Sequence, residues 1–226
     1  MLDESLQSQA YEAIRTKIIY CDLEPGRRLS AAGLEKEMGI GRTPIRESFV
    51  RLREQGLVET RPKSGTYVSR IDLSSAEDAR FLRESVERSV LVRCCSAATE
   101  DDLAQLEMLL SRSRVRPYVD EKQAMHAFFD LDNKFHETLY RIAGRSRVWR
   151  WLNTINTHLE RFRWLRLMAE ELEWGPVIDQ HERMLNAIAE GNTDDASLLA
   201  DMHLHLMLEE KSAVMQYFPD YFAPLP

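Results

Sequence analysis

Cysteine is scarce in this sequence, and two of its three cysteines are adjacent, at Cys94 and Cys95. A disulfide framework is therefore not expected. No uncharged apolar run approaches the ~20 residues of a membrane-spanning helix, and the acidic, polar start MLDESLQSQA does not resemble a secretion signal. These absences predict a cytoplasmic chain with no membrane partner. The remaining composition, 30% charged and 44% hydrophobic, is typical of a globular protein.

The sequence also lacks an overall excess of positive charge, since its formal net charge is −7. A negative chain at first argues against a nucleic-acid partner. The charge is uneven, however: residues 1–72 carry 12 Lys/Arg and 11 Asp/Glu, whereas the rest carries 18 and 26. Within 40–70 there are 7 basic and 3 acidic residues, which predicts a local basic surface. This division suggests two domains with different partners.

Residues 1–72 show the pattern of a winged helix-turn-helix. Helices are predicted from about Ser5 to Cys21 and from Ala31 to Met38. Thr43 suits the N-cap of a third helix and Pro44 its first position, because proline has no amide hydrogen to lose there. The segment 57–69 reads as a β-hairpin. In this order of elements the third helix enters the major groove of DNA and the hairpin lies along the backbone.

Basic side chains lie where this motif meets DNA. Arg42 and Arg46 are at the start of the third helix, Arg51 is further along it, and Lys63 is in the hairpin. An arginine can donate to both acceptors of guanine, and hairpin lysines suit phosphate contacts. The alternative is a solvated basic surface on a small module, but the complete order of elements favours DNA binding.

Several short motifs in residues 8–70 resemble the N-terminal reader of GntR-type transcriptional regulators. They are Pro25-Gly26, Leu29-Ser30, Arg42-Thr43-Pro44-Ile45-Arg46-Glu47, Gly56-Leu57-Val58 and Gly65-Thr66-Tyr67-Val68. The resemblance implies that Thr43 and Gly65 join the basic residues at the interface with double-stranded operator DNA. Ala31-Ala32 stand where the family usually has an acidic residue and an arginine, which implies a different operator.

Residues 73–226 are predicted to be helical, so the fold class is mainly α: a winged helix-turn-helix followed by an all-α bundle. Ser74 with Glu77, and Thr99 with Asp102, have the spacing of capping boxes that open two helices. Further helices are predicted over about 120–143, 146–173, 175–190 and 194–215. The tail from residue 217 has three prolines and is expected to dock loosely or to be mobile.

Asp132 and His136 lie one turn apart in the middle of an apolar stripe on one of these helices. The stripe consists of Met125, Phe128, Phe129, Leu139 and Ala143. Burying two polar groups without partners costs several kcal/mol, at roughly 2–7 kcal/mol each. Two explanations are open at this point: a hydrogen bond between the two side chains, or a metal ion completed by histidines from other helices.

Two further histidines fit such a site. His181 shares a stripe with Val177, Met184 and Ile188, and His203 shares one with Ala196 and Ala200. His205 differs from His203 by about 200° around the helix axis, so both cannot face one pocket. His126 and His158 show no inward pattern. Asp132, His136, His181 and His203 are therefore the predicted metal ligands, for zinc first, with nickel or another transition metal as alternatives.

Arg83 falls beside the apolar stripe of the first long helix. Its side chain could reach solvent, pair with Glu87 four residues later, or bind an acidic ligand, since its fork fits a carboxylate. The sequence pattern alone leaves these alternatives open.

The same residues resemble the FadR-like or FCD domain that follows one branch of GntR readers. The matching motifs are Asp132-x-x-Phe135-His136, His181-x-x-x-Leu185-x-Ala187-Ile188, and Ala196 with His203-Leu204. Arg83 matches the family's pocket arginine, and His205 stays in reserve as a ligand. The resemblance implies a homodimer that binds operator DNA, a metal and a small organic or sugar acid. A metalloenzyme and a regulator with a purely structural metal are the alternatives, and no catalytic signature supports the first.

Overall fold

The computed structural model describes residues 5–115, 120–169 and 172–224, with the backbone alone at 206 and 207. Within them the N-terminal elements are α1 (Leu6–Ile19), β1 (Arg28–Leu29), α2 (Ala31–Met38), α3 (Arg42–Glu54), β2 (Val58–Arg61) and β3 (Gly65–Val68). The helices that follow are α4 (Leu73–Ala97), α5 (Glu100–Arg114), α6 (Glu121–Ile142), α7 (Ser146–Ile155), α8 (Thr157–Met168), α9 (Gly175–Ala189) and α10 (Thr193–Tyr217). The predicted fold class, a winged helix-turn-helix followed by a helical bundle, is confirmed.

A tight turn between α2 and α3 positions the recognition helix. Gly39 ends α2 at φ 69°, a left-handed conformation that glycine adopts without steric cost. Helix α3 begins at Arg42 after Gly41, so the prediction that Thr43 caps this helix is wrong. Thr43 lies inside the first turn. Pro44 follows it there without breaking the helix, because the first amides of a helix have no acceptor within it.

A three-stranded antiparallel sheet of order β1-β3-β2 forms the wing. Strands β2 and β3 make the predicted hairpin, which is paired from Val58 with Val68 to Arg61 with Gly65. The sequence pattern does not predict β1, because two residues are too few to show an alternation. Its pairing with β3 attaches the wing to the segment before α2.

The two predicted capping boxes have different outcomes. Thr99 and Asp102 bond each other's backbone amides at the start of α5, as predicted. Ser74 and Glu77 do not open α4. The cap is Asp72, whose carboxylate accepts from the backbone N–H of Ser74 at 2.9 Å. The helix starts earlier because a carboxylate at this position satisfies an amide that has no partner within the helix.

The single helix predicted over 146–173 is wrong, because α7 and α8 are separate helices that meet at Asn156. Asn156 is 1% exposed. Immediately after it, the Thr157 hydroxyl donates to the carbonyl of Gln55 at the end of the recognition helix, at 2.8 Å. The change of direction therefore lets α8 pack against the N-terminal domain.

The tail after α10 is docked, contrary to the expectation of a loose or mobile segment. The N–H of Ile71, in the link between β3 and α4, donates to the carbonyl of Tyr221 at 2.8 Å. The N–H of Ala223 donates back to Ile71 at 2.9 Å. Phe222 between them is 4% exposed. The tail therefore ties the end of the bundle to the interdomain link.

A continuous apolar core joins the two parts of the chain. It includes Ile14 and Ile18 of α1, Phe128 of α6, Trp164 of α8 and Phe222 of the tail. A second cluster fills the rest of the bundle between α4, α5, α6, α9 and α10. Among the described residues no helix is both long enough and apolar enough to span a membrane.

Candidate metal centre and DNA interface

Three helices bring one carboxylate and three imidazoles to a single point. Asp132 and His136 lie one turn apart on α6, His181 lies on α9 and His203 on α10. The Nε2 atom of His181 is 3.2 Å from Nε2 of His136 and 3.3 Å from Nε2 of His203. It is 3.6 Å from Oδ1 of Asp132. One ligand atom from each residue lies within 4.8 Å of all the others. The structure therefore brings together the four residues that the helical stripes select. These four residues, Asp132, His136, His181 and His203, are called the metal group below because they could hold an ion.

The opposite ring nitrogens of two of these histidines face oxygen acceptors. Nδ1 of His136 is 3.2 Å from Oε2 of Glu87. Nδ1 of His203 is 2.9 Å from Oε1 of Gln180. The amide oxygen of Gln180 can only accept, so Nδ1 of His203 carries the hydrogen in that pair and its Nε2 turns a lone pair toward the shared point. Nδ1 of His136 and Oε2 of Glu87 lie close together but form no hydrogen bond.

Burial keeps these imidazoles neutral. It lowers the pKa of His136 well below the usual range, and the charge of Arg83 lowers it further. It also lowers the pKa of His203 well below the usual range, with the two neighbouring imidazoles adding to the effect. For His181 burial again lowers the pKa, and Asp132 only partly opposes it. Neutral imidazoles are the form that binds a metal.

The fourth member of the group, Asp132, is charged. Burial by itself would raise the pKa of Asp132, but the positive charge of Arg163 and the interactions with His181 and His136 outweigh it, and the pKa is lowered. An ionised carboxylate and three neutral imidazoles therefore converge at one point, and these are the protonation states in which such side chains bind a metal.

The donor set fits a divalent transition metal. Ligand atoms on a tetrahedral zinc at about 2.0–2.1 Å are about 3.3 Å apart, close to the nitrogen–nitrogen distances of 3.2 and 3.3 Å at His181. Three nitrogens and one oxygen also suit nickel, copper or iron. The buried Asp/His3 group can thus hold a metal, and its geometry does not identify which one.

Arg163 of α8 contacts this group and was not among the predicted site residues. It donates to Oδ2 of Asp132, and its Nη1 donates to Oδ1 of Asn133 at 3.1 Å. Its Cζ lies 5.0 Å from the centre of the Phe129 ring. No sequence pattern indicates this arginine, because α8 is buried on nearly all sides and shows no polar face.

Arg83 is fully buried and forms the predicted pair with Glu87, its Nε donating to Oε1 at 2.6 Å. The same carboxylate faces His136. The two terminal amino groups, Nη1 and Nη2, have no hydrogen-bond partner among the described residues. Arg83 therefore contacts the metal group through Glu87. It retains two donors that could bind an anion.

The other histidines lie where the sequence pattern puts them. His205 is exposed, two residues from His203 on α10. His126 is half-buried, with an edge-on contact to the ring of Tyr20 and a tilted contact to that of Trp164. His158, on the boundary between the domains, accepts from the backbone N–H of Asp72 at 2.9 Å.

A cavity of about 70 Å³ reaches the metal group. Asp132 and His203 form part of its wall. The other residues that line it are Arg80, Phe128, Phe129, Leu159, Phe162, Arg163, Arg166, Leu167, Val177 and Leu204. Arg83 is not among these described lining residues, so the predicted pocket arginine and this cavity are separate features.

The recognition helix presents part of its predicted DNA-binding set to solvent. Thr43 and Arg46 are exposed and lie away from the buried face of α3. Arg42 is exposed but bonds Oε2 of Glu35 on α2 at 2.5 Å. Arg51 stacks on the ring of Tyr11 with its Cζ 3.6 Å from the ring centre, so it faces α1.

The wing places Lys63 and Gly65 at its tip. Lys63 is exposed and has a positive φ of 61°. Gly65 has a φ of 130°, and a Cβ at this position would lie 3.1 Å from Nε of Arg28 on β1. The turn therefore requires glycine and brings the exposed Arg28 beside the wing. The sequence pattern does not select Arg28, since its contact depends on the unpredicted strand.

Helix α8 contacts both the cavity and the N-terminal domain. Glu160 pairs with Nη2 of Arg15 on α1 at 2.7 Å. Arg161, fully buried, donates from Nη1 to the carbonyl of Ser69 at the base of the wing, at 2.7 Å. Residues 159, 162, 163 and 166 of the same helix line the cavity. The metal group and the DNA-binding domain are thus joined by one short helix.

A winged helix-turn-helix joined to a helical domain with a buried ligand group is the architecture of a ligand-responsive DNA-binding regulator. Two family models match the chain: "Bacterial regulatory proteins, gntR family" over residues 6–68 and "FCD domain" over residues 78–206. The protein belongs to the GntR family of transcriptional regulators and carries a C-terminal FCD effector-binding domain.

Known relatives agree with this assignment. The HTH-type transcriptional repressor RspR of Escherichia coli strain K12 is 27% identical over 97% of this chain and 95% of its own length. An HTH-type transcriptional regulator in an unstable DNA locus of Streptomyces ambofaciens is 33% identical over 94% of this chain and 88% of its own. The chain is accordingly a regulator and not an enzyme.

Two solved structures share the fold. Escherichia coli McbR/YncC superposes with a TM-score of 0.76 at 17% identity, covering 94% of this chain and 99% of that one. A GntR regulator from Rhodococcus sp. RHA1 gives a TM-score of 0.69 at 21% identity, covering 95% and 98%.

Proposed function

We propose that the protein is a metal-loaded transcriptional regulator whose affinity for operator DNA responds to a small carboxylate-bearing effector. Asp132, His136, His181 and His203 would hold one divalent ion, with zinc as the first candidate and nickel or another transition metal as alternatives. The convergence of three Nε2 atoms and a charged carboxylate in a buried space supports this proposal. A bound ion would supply positive charge for an acidic ligand.

Arg83 has two candidate roles in this scheme. Its pair with Glu87, which faces His136, supports a role in orienting that ligand. Its two unpaired terminal amino groups support the predicted role as an anchor for an anionic group of the effector. The zinc affinity of an Arg83→Ala variant separates the roles, because only the first role requires that affinity to change.

At the DNA, Arg46 and Thr43 would read bases from the exposed face of the recognition helix. Arg42, Arg51, Lys63 and Gly65 would contact or approach the backbone. Effector binding can change operator affinity only if it favours one arrangement of the domains over another. Helix α8 is suited to this coupling, because it contacts both the cavity and the base of the wing.

We propose a cytoplasmic homodimer that reads a short palindrome, since helix-turn-helix dimers bind two half-sites related by a two-fold axis. Large apolar side chains are exposed on α4 and α10, which pack side by side, and a partner chain could cover them. They are Phe81, Leu82, Leu198 and Met202. Sedimentation of the protein, free and on its operator, tests this. A monomer in both states contradicts the proposal.

The central test combines metal analysis with DNA binding. The purified protein is analysed for bound metals, stripped with a chelator and titrated with Zn²⁺ by calorimetry, and an operator is selected from random DNA. We expect one ion per chain, and an operator affinity that changes when a small acid is added. A protein that binds no divalent ion contradicts the metal centre. If zinc binds but no acid changes melting temperature or DNA affinity, the metal is purely structural.

A further inference from the structure

The wall of the cavity beside the metal group combines apolar side chains with three arginines. Its apolar part consists of Phe128, Phe129, Leu159, Phe162, Leu167, Val177 and Leu204. Its polar part consists of Arg80, Arg163 and Arg166 together with the metal-group residues Asp132 and His203. Uncharged hydrogen-bonding side chains (Ser, Thr, Asn, Gln or Tyr) are absent from the described lining. Each arginine is already paired with a carboxylate, namely Glu84, Asp132 or Glu210, so the wall leaves few partners free for a hydroxyl group.

Arg166 is the arginine with the clearest spare capacity for an anion. It is 7% exposed. Glu210 fixes one edge of the guanidinium, accepting from Nε and, at 2.8 Å, from Nη2. Nη1 is buried and has no hydrogen-bond partner among the described residues. A buried donor without an acceptor is destabilising, and a ligand carboxylate would relieve that cost.

The neighbouring arginines add to the positive character of the cavity. Arg80 pairs with Glu84, and its buried Nε has no partner in the described chain. Arg163 is held by Asp132. Each of these guanidinium groups is paired with a carboxylate, Arg166 with Glu210, so the attraction for an anion comes from the buried donors that have no partner in the described chain, Nη1 of Arg166 and Nε of Arg80.

We propose that the cavity binds a short monocarboxylic acid with an alkyl or aryl body, and that it rejects sugar acids and other polyhydroxylated acids. The carboxylate pairs with Arg166, and the body packs on Phe162, Leu159 and Val177. The volume of about 70 Å³ corresponds to about five water-sized positions, which suits a small acid. This inference rests on the proposed function, because it specifies the acid to which the domain responds.

Two acids with the same carbon number provide the test. Butanoate and threonate (2,3,4-trihydroxybutanoate) both carry one carboxylate, but threonate adds three hydroxyls, more than the few free partners in the wall can pair. Each is titrated into the zinc-loaded full-length protein by calorimetry, with 1-butanol as the probe that lacks the carboxylate. We expect butanoate to bind at least about 100-fold more tightly than threonate, since even one hydroxyl in an apolar pocket can cost about that factor. Butanol should bind more weakly than butanoate.

Variants locate the site. Arg166→Gln should weaken butanoate binding at least 10-fold and leave zinc binding unchanged. Arg166→Lys keeps the positive charge but not the forked guanidinium, so its butanoate affinity should lie between those of the wild type and Arg166→Gln. The exposed Arg150→Gln on α7 is the matched control and should bind as the wild type does. Val177→Thr is nearly isosteric and adds a hydroxyl to the wall. It should therefore reduce the ratio of butanoate affinity to threonate affinity. Zinc content and melting temperature report whether each variant is folded.

Three outcomes would overturn the inference. Threonate binding as tightly as butanoate would show that the ligand class is wrong. Unchanged butanoate affinity in Arg166→Gln would place the carboxylate elsewhere. If zinc binds but neither acid does, the cavity is not an acid-binding site, and the proposed metal centre is unaffected. Failure of the metal proposal is seen separately as absence of zinc, and butanoate titration of the metal-free protein then still tests the cavity.

Discussion

The exchange of His203 for glutamine, with His205 as the matched control, tests the metal centre most directly. Both histidines lie on α10, two residues apart. Nε2 of His203 lies 3.3 Å from Nε2 of His181 in the buried group, whereas His205 is exposed. We expect His203→Gln to lose tight zinc binding and His205→Gln to keep it. The comparison holds helix, residue type and substitution constant and varies the direction of the side chain and, with it, its burial.

The size of the effect follows from linkage between binding and folding. At a free zinc concentration of 1,000 times Kd the metal stabilises the folded state by about 4.1 kcal/mol. Loss of an outer-shell partner already costs 10–100-fold in affinity, so loss of a direct ligand should cost at least about 100-fold. At the same zinc concentration the His203→Gln protein would then gain only about 1.4 kcal/mol. The difference, about 2.7 kcal/mol, corresponds to roughly 5–11 °C in Tm for a chain of this size.

The assay compares Tm in zinc and in chelator for wild type and for both variants. Taking this difference removes the effect of the substitution on packing, because each variant is its own reference. Apolar side chains of both domains share one core, which favours a common unfolding transition. Zinc stoichiometry is measured in parallel. A His203→Gln protein with the zinc-dependent Tm shift of the wild type would refute the ligand set, and a His205→Gln protein without zinc would identify His205 as the fourth ligand.

Three further predictions concern the DNA interface and the links to the metal group. Arg46→Ala should weaken binding to a selected operator by about 1–3 kcal/mol in an anisotropy titration. Lys63→Ala should weaken binding to all DNA sequences alike and reduce the slope of log affinity against log salt concentration by about 1. Normal operator binding by Arg46→Ala would contradict the placement of α3 in the major groove. Arg83→Ala should lower zinc affinity by about 10–100-fold, because it removes the partner that holds Glu87 against His136; unchanged zinc affinity with a lost acid response would assign Arg83 to the effector instead. Arg161→Met should leave zinc affinity intact and reduce the effect of the acid on operator affinity; an unchanged acid effect would exclude α8 as the link.

The helical stripes predict much of the metal group, because the direction of a side chain on a regular helix follows from its position. Asp132 and His136 are four residues apart and had to share a face of α6. The choice of His203 over His205 rests on the same geometry, and the structure has His203 in the group. Their function as metal ligands remains a prediction. Helical periodicity does not predict the distances between helices, because these depend on tertiary packing.

The features that the sequence pattern misses lie where local signals are weak or absent. Asn156 separates α7 from α8 without a glycine or proline, so a continuous helix was the simpler interpretation. Helix α8 buries Arg161 and Arg166 along with its apolar side chains, and a helix buried on every side has no polar face to orient it. Strand β1 has two residues, and its pairing is set by the wing.

The contacts of α8 suggest how the candidate metal centre could communicate with the DNA-binding domain. Arg161 is a fully buried guanidinium whose pKa burial lowers to about 10, and among the described residues its hydrogen bonds go to Ser69 and His158. Removing one partner of a buried charge costs more than the pair contributes, so the charge tolerates few arrangements of the wing base. Two residues later Arg163 holds a predicted metal ligand. We therefore expect a shift of α8 that accommodates a ligand at Arg166 either to carry the wing base with it or to strain the Arg161 contacts, and either change would alter operator affinity.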